Sequence, residues 1–297
     1  MFVLIFFHQS SRNRFEKDAE DDKFSAMKLA IVAALLIVSA QARAQEKSSP
    51  DSTAPLIQDN SFLVEEAYNQ EAGIVQHITT FEKQRGSDDF AATFTQEWPV
   101  GSIRHQLSYD LPLIRAGSNT GIGDVGVNYR YQLIGSGETR VAFAPRISVT
   151  LPTGDWKQSR GTGGVGFEAN LPLSFVLDPA LTLHSNAGIG FVPSSRSILG
   201  DRARTTAVFV GQSAILTMSP HIQPMVEVVY TRGQDVVARS RTDSFTEAVV
   251  SPGVRGALNF ASGLQIVPGI AFPIGFGPSN GERGVYLYLS FEHPFIR

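Results

Sequence analysis

The sequence predicts an all-β protein, a transmembrane antiparallel β-barrel of about twelve strands with a short N-terminal periplasmic arm. Three observations support this fold. About twelve runs of roughly 10 to 14 residues alternate apolar and polar side chains, a period that belongs to strands long enough to cross a bilayer at a tilt. The links between these runs alternate between long and short. The one long apolar stretch lies near the N terminus and has the form of a secretory signal.

The export signal is the first element that the sequence predicts. From Met27 the chain has one lysine, an apolar run over 29–40 and the cleavage pattern Ala42-Arg43-Ala44. We therefore expect residues 27–44 to be a signal peptide that directs the chain to the bacterial outer membrane. Residues 1–26 have no role in such a signal, and we expect translation to start at Met27, with residues 1–26 as an extension of the reading frame.

An N-terminal arm and a barrel follow the signal. Residues 45–70 begin with a polar segment rich in serine and proline, which predicts an arm rather than a strand. Within the arm, Phe62–Tyr68 is apolar enough to make a short amphipathic turn or helix, and we expect it to enter the barrel from the periplasmic side as a hatch. Residues 71–297 form the predicted barrel.

The alternation is clearest near the third predicted strand, where Leu107 and Leu111 point away from Arg104 and Asp110. In hydrocarbon each unpaired backbone N–H or C=O costs several kcal/mol, so these runs have to close into a barrel without a free edge. The predicted strands cover residues 71–83, 88–98, 103–113, 121–134, 138–151, 163–176, 180–191, 204–217, 221–232, 244–258, 263–273 and 284–295.

The links between strands carry a second signal. Odd-numbered links are long and polar, such as AGSNT at 116–120 and GQDVVARSRTD at 233–243, whereas even-numbered links are short, such as GSG at 135–137. This pattern is typical of an outer-membrane barrel with long outer loops and tight periplasmic turns. Aromatic residues near the run ends fit the interfacial girdles of such a barrel, and they are Trp98, Tyr109, Tyr131, Phe191, Tyr230, Phe272 and Phe295.

Composition limits the alternatives. A net charge of -3 and 42% hydrophobic residues argue against both a helical membrane protein and a disordered chain. The chain has no cysteine, so disulfides do not contribute to its stability. A soluble exported β-sandwich or lipocalin-like barrel would also alternate, but sandwich strands are shorter, at roughly 5 to 6 residues.

Two glycine motifs at 121–126 and 161–166 match the G-x-G-x-x-G pattern of dinucleotide loops. A phosphate-binding loop needs a helix after the glycines, and here a period-two strand follows each motif. The acidic residue expected about 20 positions later is also missing, since position 146 is Arg. No His, Asp or Glu cluster has ligand spacing, so we expect neither a cofactor nor a metal.

Catalysis is not predicted either. The G-x-S-x-G match at 277–281 lies between two strands, where a hydrolase elbow would need a strand-to-helix turn. An outer-membrane phospholipase would need a Ser/His pair near the outer leaflet, whereas His105, His184, His221 and His293 lie near periplasmic ends. We therefore expect a protein that is not an enzyme.

Three segments resemble a known family. They are DNSFLVEEAYNQEAGIVQ at 59–76, GDVGVNYRYQL at 123–133 and ISVTLPTGD at 147–155, and they are similar to the bacterial outer-membrane transporter family labelled "putative MetA-pathway of phenol degradation". The resemblance covers most of the exported chain. It implies a β-barrel that passes small and aromatic compounds, and it supplies no catalytic residues. An aromatic residue usually ends such chains, whereas two residues follow Phe295 here.

If the apolar positions face lipid, a set of polar residues points into the barrel. Opposite charges on neighbouring strands can pair there. A twelve-stranded barrel allows a narrow passage, so these residues either line a selective pore or fill the interior and hold its shape. The candidates are Arg104, Asp110, Asp124, Asn128, Arg130, Arg140, Arg146, Glu168, Asn170, Glu227 and Arg255.

The predicted outer loops are locally basic in a chain that is negative as a whole. Arg239 and Arg241 are candidates for contact with lipopolysaccharide phosphates, because arginine pairs with phosphate in a bidentate geometry. A solvated basic surface is the alternative.

The function that these patterns favour is an outer-membrane channel for passive uptake of small solutes, with hydrophobic or aromatic compounds among them. The expected partners are outer-membrane lipid and lipopolysaccharide, the barrel-assembly machinery and a small-molecule solute, with no nucleic acid. The alternative is a closed structural or surface-interaction barrel that acts through its extracellular loops.

Overall fold

The computed structural model describes residues 57, 59–137, 139–261 and 264–294. Several predicted features lie outside these residues: the extension at 1–26, the signal peptide at 27–44, the first part of the arm at 45–56, and Phe295 with the two residues after it. No helix in the described part of the chain is long and apolar enough to cross a membrane.

Twelve antiparallel strands close into a barrel. Each strand pairs with the next, and the last pairs with the first over the full register from Ile74 opposite Pro294 to Gln84 opposite Gly284. The strands are β1 Ile74–Gln84, β2 Phe90–Val100, β3 Ser102–Ala116, β4 Asn119–Ile122 with Val125–Tyr131, β5 Val141–Phe143 with Arg146–Leu151, β6 Gly166–Asn170 with Leu173–Asp178, β7 Leu181–Arg196, β8 Arg202–Leu216, β9 Ile222–Ala238, β10 Arg241–Gly256 with Leu258–Asn259, β11 Gln265–Ala271 with Ile274–Gly275, and β12 Gly284–Pro294.

Proline explains why three of the strands are interrupted. Pro145, Pro172 and Pro273 lie in the gaps of β5, β6 and β11. A proline has no N–H to donate to the ladder, so regular pairing stops at each of them and resumes beyond it. The ladder is bridged locally, since Ala144 N donates to the Pro172 carbonyl at 3.1 Å.

Every predicted run overlaps one observed strand, and the alternation of the two faces is confirmed. Along β8 the outward Val210 is 55% exposed whereas the inward Ser213 is fully buried. The outer surface is apolar around the barrel, and the inner surface carries amides, hydroxyls and charges. The fold class predicted from the sequence is therefore correct.

The predicted link lengths are partly wrong. The β3–β4 and β9–β10 links, expected to be long, are the two-residue turns 117–118 and 239–240. Gly117 and Ser240 adopt positive φ angles of 60° and 56° there, as tight hairpins require. Conversely, the β4–β5 link, expected to be short, spans 132–140. Residues 233–243 have the composition of a loop because β9 and β10 continue beyond the membrane, where no lipid requires an apolar outer face.

The predicted aromatic girdle is observed in part. Phe191, Tyr230 and Phe272 are all more than a third exposed on the outer surface. Tyr109 and Tyr230, however, lie midway along β3 and β9, and the ring centroid of Tyr109 is 6.0 Å from that of Trp98. An aromatic near the end of a predicted run is therefore not always near the end of the folded strand.

The lipid-facing belt predicts the effect of a buried charge. Val210 lies midway along β8 on the outer face, so Val210→Arg should lower the free energy of unfolding in phospholipid vesicles by roughly 2–4 kcal/mol. Leu199→Arg is the control, because Leu199 is 86% exposed in the β7–β8 link and a charge there remains in water. Urea titration of the two variants in vesicles measures the difference, and equal stabilities would contradict a lipid-facing β8.

Candidate functional site

The interior of the barrel is occupied by residues 59–73, which we call the lumen loop. The loop enters from the end of the barrel where the β2–β3 and β6–β7 turns lie, since Asn69 Nδ2 donates to the Ile103 carbonyl at the start of β3. Its middle contacts the inner wall further up, where Val64 packs against Val229 and Val249. The loop has bends but no helix, so the expected helical turn around Phe62–Tyr68 is absent.

The amide groups of the lumen loop bind to side chains of the barrel wall. Glu227 accepts hydrogen bonds from the N–H groups of Leu63 and Val64 at 2.8 and 3.0 Å. A buried peptide N–H without a partner costs about 1–3 kcal/mol, so each of these bonds removes a large penalty. The backbone N–H groups of four further loop residues donate to side chains of the wall: Glu65 to Asn186, Ala67 to Ser174, Asn69 to Gln132 and Gln70 to Gln106.

Two buried arginines bind the carbonyl groups of the same loop. Arg130 donates to the Glu66 and Tyr68 carbonyls at 3.1 and 2.7 Å. Arg255 donates to the Asp59 and Asn60 carbonyls at 2.8 and 2.6 Å. The guanidinium group has five donors in a fixed plane, so one arginine side chain can bind two carbonyl groups of an irregular backbone.

Carboxyl groups of the loop lie in the same dry environment. Asp59 accepts hydrogen bonds from Gln76, Tyr288 and Ser290. Burial raises the pKa of Asp59, and the positive charge of Arg255 opposes this shift. Burial, followed by the charge of Asp59, raises the pKa of Glu66 to about 8. The docked loop therefore favours the protonated form of Glu66.

Phe62 fixes the position of the loop by shape. Its ring lies against Tyr286 and Tyr288, with centroid distances of 5.7 and 5.4 Å. On the other side the ring approaches two glycines of the wall, and a Cβ atom at Gly253 or Gly269 would lie 2.7 or 2.5 Å from it. Glycine is required at these two positions because any side chain would occupy the space of the ring.

A small cavity remains beside the loop, with a volume of about 130 Å³. Aromatic rings of Phe62 and Tyr286 line one part of it, and the polar side chains of Thr95, Asp110 and Arg146 line another. The cavity lies directly beside the docked loop, since residues 60–65 form part of its lining. Its polar groups are partly satisfied, since Thr95 Oγ1 donates to Asp110 at 2.6 Å.

Four predicted lumen residues line this cavity, and a fifth, Asn170, is buried inside the barrel without lining it. Arg146 pairs with Glu168 at 2.6 Å and with Glu65 of the loop at 2.8 Å, so one arginine joins two strands and the loop. Asn128 donates to Asp110 at 2.8 Å. Asn170 contacts Asn186 at 3.3 Å, next to the site where Asn186 binds the loop.

Three predicted residues lie elsewhere. Arg104 and Arg140 are exposed at the end of the barrel where the β2–β3 and β6–β7 turns lie, and Arg140 donates to the Val176 and Leu177 carbonyls near the end of β6. They follow the inward alternation, but their strands have already reached the rim. Asp124 is buried at the opposite end and accepts from Gly154 N and Thr162 N at 2.9 and 2.7 Å, so it braces the long β5–β6 loop.

The glycine motifs and histidines have structural partners. Gly161 leaves space for Asp124, whose Oδ1 would lie 2.2 Å from a Cβ there, and strands follow both motifs. Ser174 and His184 form a hydrogen bond of 2.7 Å inside the lumen, but both are buried and Ser174 Oγ accepts from Ala67 N. This Ser/His pair therefore anchors the loop. Among the described residues, no group of three potential ligands could hold a metal.

Sequence reasoning missed most of the wall residues that hold the loop. The strand alternation contains the signal for some of them, because Gln106 and Gln132 share the inward face with Asp110 and Arg130. Apart from Asn128 and Asn170, the predicted set contains only charged residues, so the glutamines and serines of the wall are absent from it. Here their value is that an amide or hydroxyl can pair with a peptide group.

Comparisons with known proteins agree with this geometry. The sequence model of the family described as "Putative MetA-pathway of phenol degradation" matches residues 53–291. An outer membrane channel from Pseudomonas putida F1 has a similar structure, with a TM-score of 0.57 and 12% identity over 84% of this chain and 100% of that chain. The NanC porin has a TM-score of 0.52 and 10% identity over 72% of this chain and 98% of its own. No curated protein sequence matches significantly.

The fit of Phe62 predicts how the loop can be loosened. Gly269→Ala places a methyl group in the space of the Phe62 ring, and overpacking of this kind costs about 1–3 kcal/mol, so the undocked fraction should rise about tenfold or more. Protease cleavage of the loop in detergent measures this fraction. Gly190→Ala is the control, because Gly190 also faces inward and its nearest contact would be 4.0 Å away. Equal cleavage of both variants would contradict the docking of Phe62.

The pKa of Glu66 predicts that docking depends on pH. A carboxyl whose pKa is about 8 in the docked loop and near 4.5 when solvated favours docking at low pH, and this contribution is lost as the pH rises through that window. The charges near Glu66 are those of Asp59, Arg130, Arg255 and Glu292. Loop cleavage should therefore increase between about pH 5 and pH 8.5, and Glu66→Gln should flatten the increase. A wild-type profile identical to that of the variant would count against this assignment.

Proposed function

Because the chain belongs to the family described as "Putative MetA-pathway of phenol degradation", we propose that it is an outer-membrane channel for the passive uptake of small solutes, with hydrophobic and aromatic compounds among them. The observation that carries the proposal is the narrow cavity of mixed character that remains beside the lumen loop. Export through the signal peptide beginning at Met27 and insertion by the barrel-assembly machinery belong to the same proposal.

The cavity supports a small aromatic solute by its size and its lining. Its volume of about 130 Å³ is close to the roughly 150 Å³ of a protein cavity that accommodates benzene. Phe62 and Tyr286 offer ring faces, and aromatic pairs gain about 0.5–1.5 kcal/mol beyond their buried area. Asp110 offers a hydrogen-bond acceptor to a hydroxyl substituent, and Arg146 Nε, which has no partner in the described part of the chain, offers a donor. A phenolic compound matches both parts of this lining.

The lumen loop acts as a hatch in this proposal. It is held mainly by polar contacts with wall side chains, and water can replace each of these contacts when the loop moves towards the periplasm. The loop also has apolar contacts with the wall, which are made by Phe62, Val64 and Tyr68. A loop held in this way can leave the lumen without unfolding the barrel, whose ladder does not include it.

A closed structural or surface-interaction barrel is the second candidate function. The observation that favours it is the same loop, because a permanently docked loop would occupy the lumen. In that case the extracellular loops would be the working part of the protein. The two candidates differ in one property, which is whether the loop moves.

A disulfide lock tests the movement of the loop. The chain has no cysteine, so Val64→Cys with Val229→Cys introduces a single pair between two residues in contact. For a channel with a hatch, oxidation should reduce both planar-bilayer conductance and liposome swelling in phenolic compounds at least about tenfold, and reduction should restore them. Each single cysteine variant is the control.

Two outcomes would contradict the proposal. Equal conductance in the oxidised and reduced states would exclude a moving hatch. The absence of current steps in a variant that lacks residues 45–70 and still folds, measured by its heat-dependent migration on a gel, would favour the closed barrel. Swelling rates for sugars, amino acids and phenolic compounds then rank the solutes that pass.

A further inference from the structure

We propose that an outward-facing cleft above the lipid belt binds the phosphate groups of the lipopolysaccharide in the outer leaflet. The arginine cleft, as we call it, has a volume of about 850 Å³ and contains Arg202, Arg204 and Arg232. This inference rests on the proposed outer-membrane location and concerns a surface separate from the lumen.

The strand alternation places the cleft on the outside of the barrel. On β8 the buried Ala203 and Thr205 face inward, so Arg202 and Arg204 face outward. On β9 the buried Thr231 faces inward, so Arg232 also faces outward. None of these arginines can therefore belong to the channel lumen.

Strand pairing brings the three arginines and several polar groups together. Arg232 lies opposite Val208, and Thr206 N donates to Gln234 Oε1 at 3.1 Å. The β9–β10 hairpin extends past the belt and adds hydroxyl groups to the same surface. These hydroxyls belong to Ser240, Thr242 and Ser244.

The cleft begins where the apolar belt ends. From Arg202 and Arg204 towards the membrane, the next outward residues of β8 are Thr206, Val208 and Val210. Val208 and Val210 are 46% and 55% exposed. Below Arg232 on β9, the next outward residue is Tyr230. This order of charge, interfacial aromatic and aliphatic side chain matches the order of head group, interface and acyl chain in a bilayer leaflet.

The charge of the cleft favours a phosphate. No Asp or Glu lines it, and none of its three guanidinium groups forms a salt bridge in the described part of the chain. Arginine forms bidentate, charge-assisted hydrogen bonds with phosphate. The surrounding hydroxyls and the Gln234 amide can bind sugar hydroxyls next to that phosphate. A phosphorylated glycolipid combines these groups with acyl chains that reach the belt below.

The structure separates this cleft from Arg239 and Arg241, the arginines first predicted to bind lipopolysaccharide. Arg239 lies in the tip of the β9–β10 hairpin and Arg241 directly follows it, both are exposed, and neither lines the cleft. They are therefore a matched control of equal charge at the same end of the barrel.

The experiment titrates the detergent-solubilised full chain with diphosphoryl lipid A and measures binding by native mass spectrometry. Arg204→Gln with Arg232→Gln should raise the Kd at least about tenfold, because each change removes a charge-assisted contact. Arg239→Gln with Arg241→Gln should change the Kd by less than about threefold. Heat-dependent migration on a gel verifies that both double variants fold.

Two further probes distinguish a lipid from a free anion. Lipid A without phosphates should bind equally to wild type and to the cleft variant, and inorganic phosphate should not compete at concentrations equal to that of lipid A. If both double variants lost the same affinity for lipid A, the cleft would not be its binding site. If inorganic phosphate competed effectively, the occupant of the cleft would not be a lipid. Conductance of the cleft variant should equal that of wild type. A wild-type barrel that binds lipid A in this way but never conducts would refute only the channel.

Discussion

The structure depends on the cost of leaving a peptide group without a hydrogen-bond partner where water is absent. In the wall this cost is avoided by a ladder that runs from β1 to β12 and back to β1. In the lumen the same cost applies to a segment with no strand partner. There the peptide groups of the lumen loop bind to side chains such as Glu227, Arg130 and Arg255. One constraint thus explains both the closed sheet and its polar interior.

The polar interior therefore serves two purposes at once. Charges such as Arg146 and Glu168 pair with each other and with Glu65 of the loop, and the same residues line the remaining cavity. The inward residues can therefore both line a pore and hold a filled interior, because the interior is filled by the lumen loop, a segment of the chain itself. Whether the barrel transports a solute then depends on the free energy of docking this loop, which combines its hydrogen bonds with the wall, the Arg146–Glu65 ion pair and the packing of Phe62 and Val64.

The outer surface follows a different requirement along its height. In the belt, the lipid requires apolar side chains at alternate positions. Above the belt, the strands of the β9–β10 hairpin continue with polar residues such as Gln234 and Thr242 mixed with apolar ones such as Val237 and Phe245. This continuation forms the wall of the arginine cleft. The same sheet thus offers a passage inside and a polar, positively charged surface outside, at two places that do not share side chains.

The sequence by itself determined the wall. Alternation with a period of two and the number of runs were sufficient to predict twelve strands, because both depend on local geometry and on the face a side chain must show. Only the tertiary structure decided which inward residues meet. Phe62 lies between Gly253 and Gly269, and Glu227 binds Leu63 over a separation of 164 residues. Such contacts depend on closure of the barrel and on the path of an irregular loop, for which no periodic pattern exists. The sequence did not predict the extension of β9 and β10 for a related reason, since a strand outside the membrane can have the same polar composition as a loop.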